Sequence, residues 1–82
     1  MLLVDARQTW CPVPILRLAQ AARGAVTGDE LELLATDPAV RSDLPAWCSS
    51  TGHQLVSLEE RGGEWRGVVR IQRGGGGGSR AM

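Results

Sequence analysis

The stretch Cys11-Pro12-Val13-Pro14 follows a short apolar run, Leu2-Leu3-Val4, and precedes a helical pattern that begins at Ile15. Proline is tolerated in the first turn of a helix, because the backbone N–H has no intrahelical partner there. Two prolines one residue apart therefore predict a helix start. They place Cys11 at a junction between a strand and a helix.

The patterns on either side of this stretch predict an α+β domain with the element order β-α-β-α-β-β. Apolar residues recur at helical spacing after Pro14, and they alternate with glutamates from Glu30 onward. The predicted strands are Leu2–Asp5, Glu30–Thr36, Gln54–Glu59 and Trp65–Gln72, and the first predicted helix runs from Pro12 to Arg23. Such a chain can form a two-layer sandwich, in which a four-stranded mixed sheet carries both helices on one face.

Helix ends and turns are also predicted from the residue types. Asp43 is expected to cap the second helix, with Pro45 in its first turn and Gly52 just past its end. Gly24 is expected to end the first helix in a left-handed conformation. A glycine pair, Gly62-Gly63, predicts a hairpin between the last two strands.

Length and composition limit the class of protein. Eighty-two residues with 43% apolar content allow one domain, predicted over residues 1–73, with a flexible glycine-rich tail over residues 74–82. Nine basic and nine acidic side chains balance, so direct nucleic-acid binding is not indicated. No run approaches the roughly 20 apolar residues that a membrane span needs, and no signal peptide opens the chain. We therefore expect a cytoplasmic protein without membrane contact, whose cysteines are reduced.

Cys11 is the candidate catalytic residue. The free N–H groups and the positive dipole end at a helix start favour an anion, and the thiolate is the nucleophilic form of a cysteine. We expect the backbone amides of Val13, Ile15 and Leu16 to stabilise this thiolate. The alternative is a cysteine that only fills a small apolar space.

The other chemically capable residues lack the partners that a complete catalytic site requires. A cysteine hydrolase needs an oriented base, and His53 is expected instead to be a turn or surface residue that bonds the backbone. Cys48 is expected to be a packed helix residue, although it could serve as a resolving partner for Cys11. Trp10 could shield the thiol or anchor a partner, and Arg7 could hold a negative charge near the site.

A set of spaced motifs carries a family resemblance. The motifs are Asp5-Ala6-Arg7, Cys11-Pro12-Val13-Pro14-Ile15-Leu16, Gly28-Asp29-Glu30-Leu31, Thr36-Asp37-Pro38, Asp43-Leu44-Pro45-Ala46-Trp47 and Gly52-His53. Over residues 2–73 they resemble the TusA/SirA-like sulfur-carrier family, which has a Cys-Pro-x-Pro motif. The chain departs from the family at Gln8, where a glycine is usual, and at the bulky Trp10. Both changes alter the loop at which a partner would dock.

The resemblance implies a sulfur-relay function. Family members accept sulfane sulfur as a persulfide on the motif cysteine, here Cys11, and pass it to another protein. The implied donors are rhodanese-type sulfurtransferases or cysteine desulfurases, and the implied acceptors serve tRNA thiolation, cofactor maturation or sulfur oxidation. We expect a carrier component of a sulfurtransferase system rather than a stand-alone enzyme, with no metal and no cofactor beyond the covalent persulfide.

Two alternatives remain open at the level of the sequence. One is a thiol-disulfide redox protein that uses Cys11 and Cys48 as a pair. The other is a non-enzymatic regulatory or interaction module, in which the open face of the sheet binds a protein and the cysteine is incidental.

Overall fold

The computed structural model of the protein describes residues 2–72. Its elements are β1 (Leu2–Ala6), α1 (Val13–Arg23), β2 (Glu30–Ala35), α2 (Val40–Thr51), β3 (Gln54–Arg61) and β4 (Glu64–Arg70). This order confirms the predicted β-α-β-α-β-β arrangement. The glycine-rich segment predicted as a tail lies outside the described residues.

The four strands form one mixed sheet in the order β1-β2-β4-β3. β1 pairs with β2 in parallel, whereas β4 pairs in an antiparallel manner with both β2 and β3. Helix α1 packs on β1 and β2, helix α2 packs on β3 and β4, and the helices contact each other. The predicted two-layer sandwich with both helices on one face is therefore confirmed.

The hydrophobic core lies between the helices and one face of the sheet. Its fully buried members include Leu18 of α1, Leu33 of β2, Leu44 of α2 and Val69 of β4. The opposite face of the sheet carries charged pairs that follow the alternation of the strands. Cross-strand ion pairs join Arg66 to Glu32 at 2.9 Å and Arg70 to Glu30 at 2.7 Å.

Helix α2 begins earlier than the sequence pattern predicts. Its first residue is Val40, so Asp43 lies in the first turn rather than at the N-cap, and Pro45 lies inside the helix. The actual start signal is Asp37-Pro38, since the Asp37 carbonyl accepts the Val40 N–H at 3.1 Å and its Oδ1 accepts the Ala39 N–H at 3.0 Å.

The ends of the remaining elements agree with the prediction to within about two residues, the usual uncertainty of such boundaries. Gly52 ends α2 with φ 84°, in the predicted left-handed conformation. The left-handed conformation predicted for Gly24 is wrong. Gly24 ends α1 with φ −92°, and its N–H donates to the Ala21 carbonyl. The Gly62-Gly63 turn joins β3 to β4 as predicted, with both glycines at positive φ.

Gly67 of β4 lies under helix α2 and leaves room for a buried leucine. A Cβ atom at this position would overlap Leu44 Cδ2. The Leu44 side chain is fully buried, so it cannot move aside into solvent. Close packing of α2 on the sheet therefore depends on the absence of a side chain at position 67.

We predict that Gly67→Ala destabilises the protein by about 1–3 kcal/mol, the usual cost of overpacking a core. Chemical denaturation followed by circular dichroism measures this change. Gly24→Ala is the matched control, because its nearest atom lies 3.9 Å away and its φ is negative. A Gly67→Ala protein as stable as the wild type would contradict the packing assignment.

Candidate functional site

The site is built where the loops after β1 and β2 leave the same edge of the sheet. β1 and β2 are parallel and end in register, with Ala6 opposite Ala35. Cys11 lies in the loop after β1, two residues before the first residue of α1. Its side chain is exposed, as expected for a site at a strand-to-helix junction. The Cys11–Pro12 peptide bond is cis.

Asp37, in the loop after β2, holds the backbone of Cys11. Asp37 Oδ2 accepts the Cys11 N–H, and Oδ1 of the same carboxylate accepts the Ala39 N–H. Only 9% of this residue is exposed, which makes it the buried charged residue of the described chain. One carboxylate therefore starts α2 and positions the cysteine. The residue pattern at Asp37-Pro38 indicated the end of a strand and a capped turn, but not the contact of this carboxylate with the Cys11 backbone.

Asp43, in the first turn of α2, contacts the sulfur. Cys11 Sγ lies 3.2 Å from Asp43 Oδ2, and the thiol donates its hydrogen to the carboxylate. This hydrogen bond is the main reason why the pKa of Cys11 is raised, followed by desolvation and by the charges of Asp43 and Asp37. The expectation that the fold promotes the Cys11 thiolate is therefore wrong for the free protein.

The amides at the start of α1 do not form the predicted thiolate cradle. The Val13 N–H donates to the Trp10 carbonyl at 2.8 Å, and the Leu16 N–H donates to the Pro12 carbonyl at 3.0 Å. Two of the three amides that were expected to stabilise the sulfur thus donate to backbone carbonyls instead. The helix starts close to Cys11, but the carboxylates of α2 and its preceding loop dominate the electrostatics.

Arg7 lies near the site but pairs with acidic side chains of the sheet. Its Nη2 is 2.9 Å from Asp5 Oδ2, and its Nη1 is 3.5 Å from Glu64 Oε2. Hydrogen bonds from Arg7 lower the pKa of Asp5 to about 2. Arg7 therefore holds negative charge next to the site, as predicted, but this charge belongs to the protein's own carboxylates.

Cys48 lies in the hydrophobic core, and His53 contacts the backbone after β4. Cys48 is 4% exposed within the hydrophobic core, and burial raises its pKa to about 11. His53 Nδ1 accepts the Gln72 N–H at 3.1 Å, and its ring lies 5.3 Å from that of Trp47. These contacts confirm Cys48 as a packed helix residue and His53 as a residue that bonds the backbone.

Two large apolar side chains near Cys11 in the sequence are exposed. Trp10 is 62% exposed and Leu16 is 60% exposed. Trp10 immediately precedes Cys11. Leu16 lies one helical turn after Pro12, and the Leu16 N–H donates to the Pro12 carbonyl. An exposed tryptophan beside an exposed thiol is suited to contact with another protein.

Gln8 adopts a backbone conformation that normally belongs to glycine. Its φ is 65°, in the left-handed region, and its N–H donates to Thr36 Oγ1 at 2.9 Å. This hydrogen bond is a second link between the loops after β1 and β2. This backbone geometry suits the glycine that is usual in the family at this position, since glycine adopts a positive φ without strain.

Comparison with known proteins assigns the family. A family model described as sulfurtransferase TusA matches residues 3–71. The sulfur carrier protein TusA of Pseudomonas putida is 38% identical over 68 residues, which cover 83% of this chain and 85% of that protein. The sulfur carrier protein TusA of Pseudomonas aeruginosa PAO1 is 36% identical over 68 residues, which cover 83% of this chain and 86% of that protein.

A solved structure shows the same fold. The crystal structure of a SirA-like protein from Desulfitobacterium hafniense matches with a TM-score of 0.75 at 24% identity, covering 89% of this chain and 100% of that chain. The two-layer sandwich is thus also the fold of that SirA-like protein. The present chain belongs to the TusA sulfurtransferase family, as the sequence resemblance indicated. None of the described helices has the length and apolar character needed to cross a membrane.

We predict that Gln8→Gly stabilises the protein by up to about 1 kcal/mol, because the strain of a left-handed residue is removed. Gln8→Ala is the control, since alanine retains the Cβ atom that causes the strain. Thermal unfolding of the three proteins measures the difference. Equal stabilisation by alanine and glycine would show that the backbone conformation is not the cause.

Asp37→Ala should lower the free energy of unfolding by about 1–3 kcal/mol, since it leaves two amide donors without their acceptor. Asp37→Asn should cost less, because its amide oxygen still accepts one hydrogen bond. Urea denaturation of both variants measures these losses. Wild-type stability of Asp37→Ala would show that the carboxylate does not hold the site together.

Proposed function

We propose that the protein is a sulfur carrier, which accepts sulfane sulfur as a persulfide on Cys11 and relays it to a partner protein. Sulfur carriage is the function that the family match and the names of the curated relatives indicate. The observation that carries the assignment to Cys11 is its exposure beside Trp10, at the edge where the loops after β1 and β2 meet. A sulfur in this position is open to the reactive group of another protein.

The chemistry of a persulfide suits such a site. A persulfide is a reversible modification of a cysteine, and sulfur moves between proteins by attack of one sulfur on another. The reacting atom must therefore approach closely to a sulfur atom of the partner. An exposed loop position permits this approach, whereas a deep pocket would prevent it.

Docking of a partner is supported by the surface around Cys11. Trp10, next to Cys11 in the sequence, and Leu16, in the first turns of α1, both present exposed apolar area. Large exposed apolar side chains are typical anchors of protein interfaces. We propose that this surface receives a sulfur-donor protein, of the rhodanese or cysteine desulfurase type, and subsequently a sulfur-acceptor protein.

The described structure favours this function over the redox alternative. A disulfide between Cys11 and Cys48 requires their Cα atoms to lie within about 7 Å of each other. Cys48 is buried in the core, one residue beyond Trp47 and five residues along α2 from Asp43. Five helical residues span about 7.5 Å along the axis. Because Asp43 is the residue of α2 that contacts the Cys11 sulfur, Cys48 is not the partner presented to it.

We predict that incubation with a rhodanese or cysteine desulfurase and its sulfur source adds about 32 Da to the protein, the mass of one sulfur atom, as expected for a persulfide. Cys11→Ser should abolish this adduct, because the accepting sulfur is absent. Intact-protein mass spectrometry before and after addition of a reductant measures the modification and its reversal.

Cys48→Ala is the matched control, since it removes the other cysteine of the chain. This variant should accept sulfur as the wild type does. Loading of Cys11→Ser would contradict the assignment of the persulfide to Cys11. An intramolecular disulfide after mild oxidation of the wild type would instead support a redox function.

A further inference from the structure

The carboxylate of Asp43 is the side-chain group that contacts the Cys11 sulfur. The separation of 3.2 Å between Sγ and Oδ2 corresponds to a hydrogen bond from the thiol to the carboxylate. The second carboxylate of the site, Asp37, is occupied by the amides of Cys11 and Ala39. Both negative charges raise the pKa of Cys11 and so oppose ionisation of the thiol.

No cation of the described chain neutralises Asp43. Arg7, in the loop after β1, pairs with Asp5 and Glu64, and Arg17 of α1 donates to the Asp5 carbonyl at 3.1 Å. Across residues 2–72, the ion pairs do not include Asp43. Among the described residues, the Asp43 carboxylate is therefore left for the Cys11 thiol and for a group of a docked partner.

This arrangement conflicts with the requirements of sulfur transfer. The thiolate is the nucleophilic form of cysteine, so a neighbouring carboxylate slows attack on a donor. The same carboxylate protects the free protein, because oxidation and alkylation also require thiolate character. A cation that pairs with the carboxylate would remove the repulsion and allow the thiol to ionise.

We propose that Asp43 is a gating residue: it keeps Cys11 as a thiol in the free carrier, and an arginine or lysine of the docked sulfur donor pairs with it to release the thiolate. The proposal rests on the proposed function of Cys11 as the persulfide site. It specifies the partner's surface by charge complementarity. The donor presents a basic side chain to Asp43 and an apolar area to Trp10 and Leu16.

The transfer step balances without an added oxidant or reductant. When the partner's cation pairs with Asp43, the Cys11 thiol loses its proton to water, and Sγ attacks the outer sulfur of the donor persulfide, R–S–SH. A bond forms between Sγ and that sulfur, the S–S bond of the donor breaks, and the donor sulfur leaves as a thiolate that takes a proton from water. The products are the Cys11 persulfide and the donor thiol, R–SH.

The first test measures the reactivity of Cys11 in the free carrier. Asp43→Asn in the full chain should react several-fold faster with iodoacetamide at pH 7, and its pH profile should move to lower pH. A Cys48→Ala background restricts the reaction to one thiol, which mass spectrometry follows. Asp43→Glu keeps the charge and should retain the slow reaction.

Glu59→Gln controls for the loss of a negative charge elsewhere, because Glu59 is an exposed residue of β3. It should leave the reactivity of Cys11 unchanged. If Asp43→Asn unfolds the protein, as judged by circular dichroism, Asp43→Ser provides a second neutral variant for the same measurement. An unchanged pH profile in a folded neutral variant would overturn the gating role.

The second test distinguishes two effects of Asp43: suppression of the thiolate in the free carrier, and pairing with a cation of the docked donor. Inorganic polysulfide carries no cation, so it should load Asp43→Asn several-fold faster than the wild type. The protein donor that loads the wild type should load Asp43→Asn several-fold more slowly, through a higher half-saturation concentration. Faster loading of the variant by both donors would overturn the pairing with a basic residue of the partner.

Failure of the proposed function gives a different result. In that case the wild type would accept sulfur from neither polysulfide nor a protein donor, whatever the alkylation profile of Asp43→Asn. A wild type that loads normally, together with an Asp43→Asn variant that resembles it in both tests, would reject the gate and leave the persulfide function intact.

Discussion

The position of the reactive sulfur depends on the hydrogen bond from the Cys11 amide to the carboxylate of Asp37. β1 and β2 are parallel neighbours, so the loops that follow them leave the sheet at the same edge. Asp37 also accepts the Ala39 amide at the start of α2. A single buried carboxylate thus joins the loop that carries the cysteine to the helix that carries Asp43.

The electrostatic state of Cys11 is decided by a competition between a helix start and a carboxylate. The N-terminus of a helix acts as about half a positive charge. The carboxylate of Asp43 contacts the sulfur directly, at 3.2 Å. The contact outweighs the dipole and raises the pKa of Cys11. In the gating that we propose, the free carrier reacts slowly, and a cation of the docked partner activates its thiol.

Much of the fold was predictable because its signals are local. The prolines that follow Cys11 predicted the start of α1, and the alternation from Glu30 to Ala35 predicted β2. The start of α2 was misplaced because Asp43 and Pro45 imitate a cap and a first-turn proline, whereas the residue that accepts the first amides is Asp37, six residues before Asp43. Local propensity does not choose between two such signals. Asp37 decides the start, because its carbonyl accepts the Val40 amide and its carboxylate accepts the Ala39 amide.

The residue types and their spacing were sufficient to indicate the element order, the sandwich architecture and Cys11 as the exposed sulfur. They were not sufficient to indicate the protonation of that sulfur, because its acidic neighbours lie 26 and 32 residues away along the chain. Packing of α2 against the sheet, which requires Gly67 beneath Leu44, brings Asp43 to the sulfur. Charge interactions act through space, and the distances that set their strength exist only once the helices and strands have packed together.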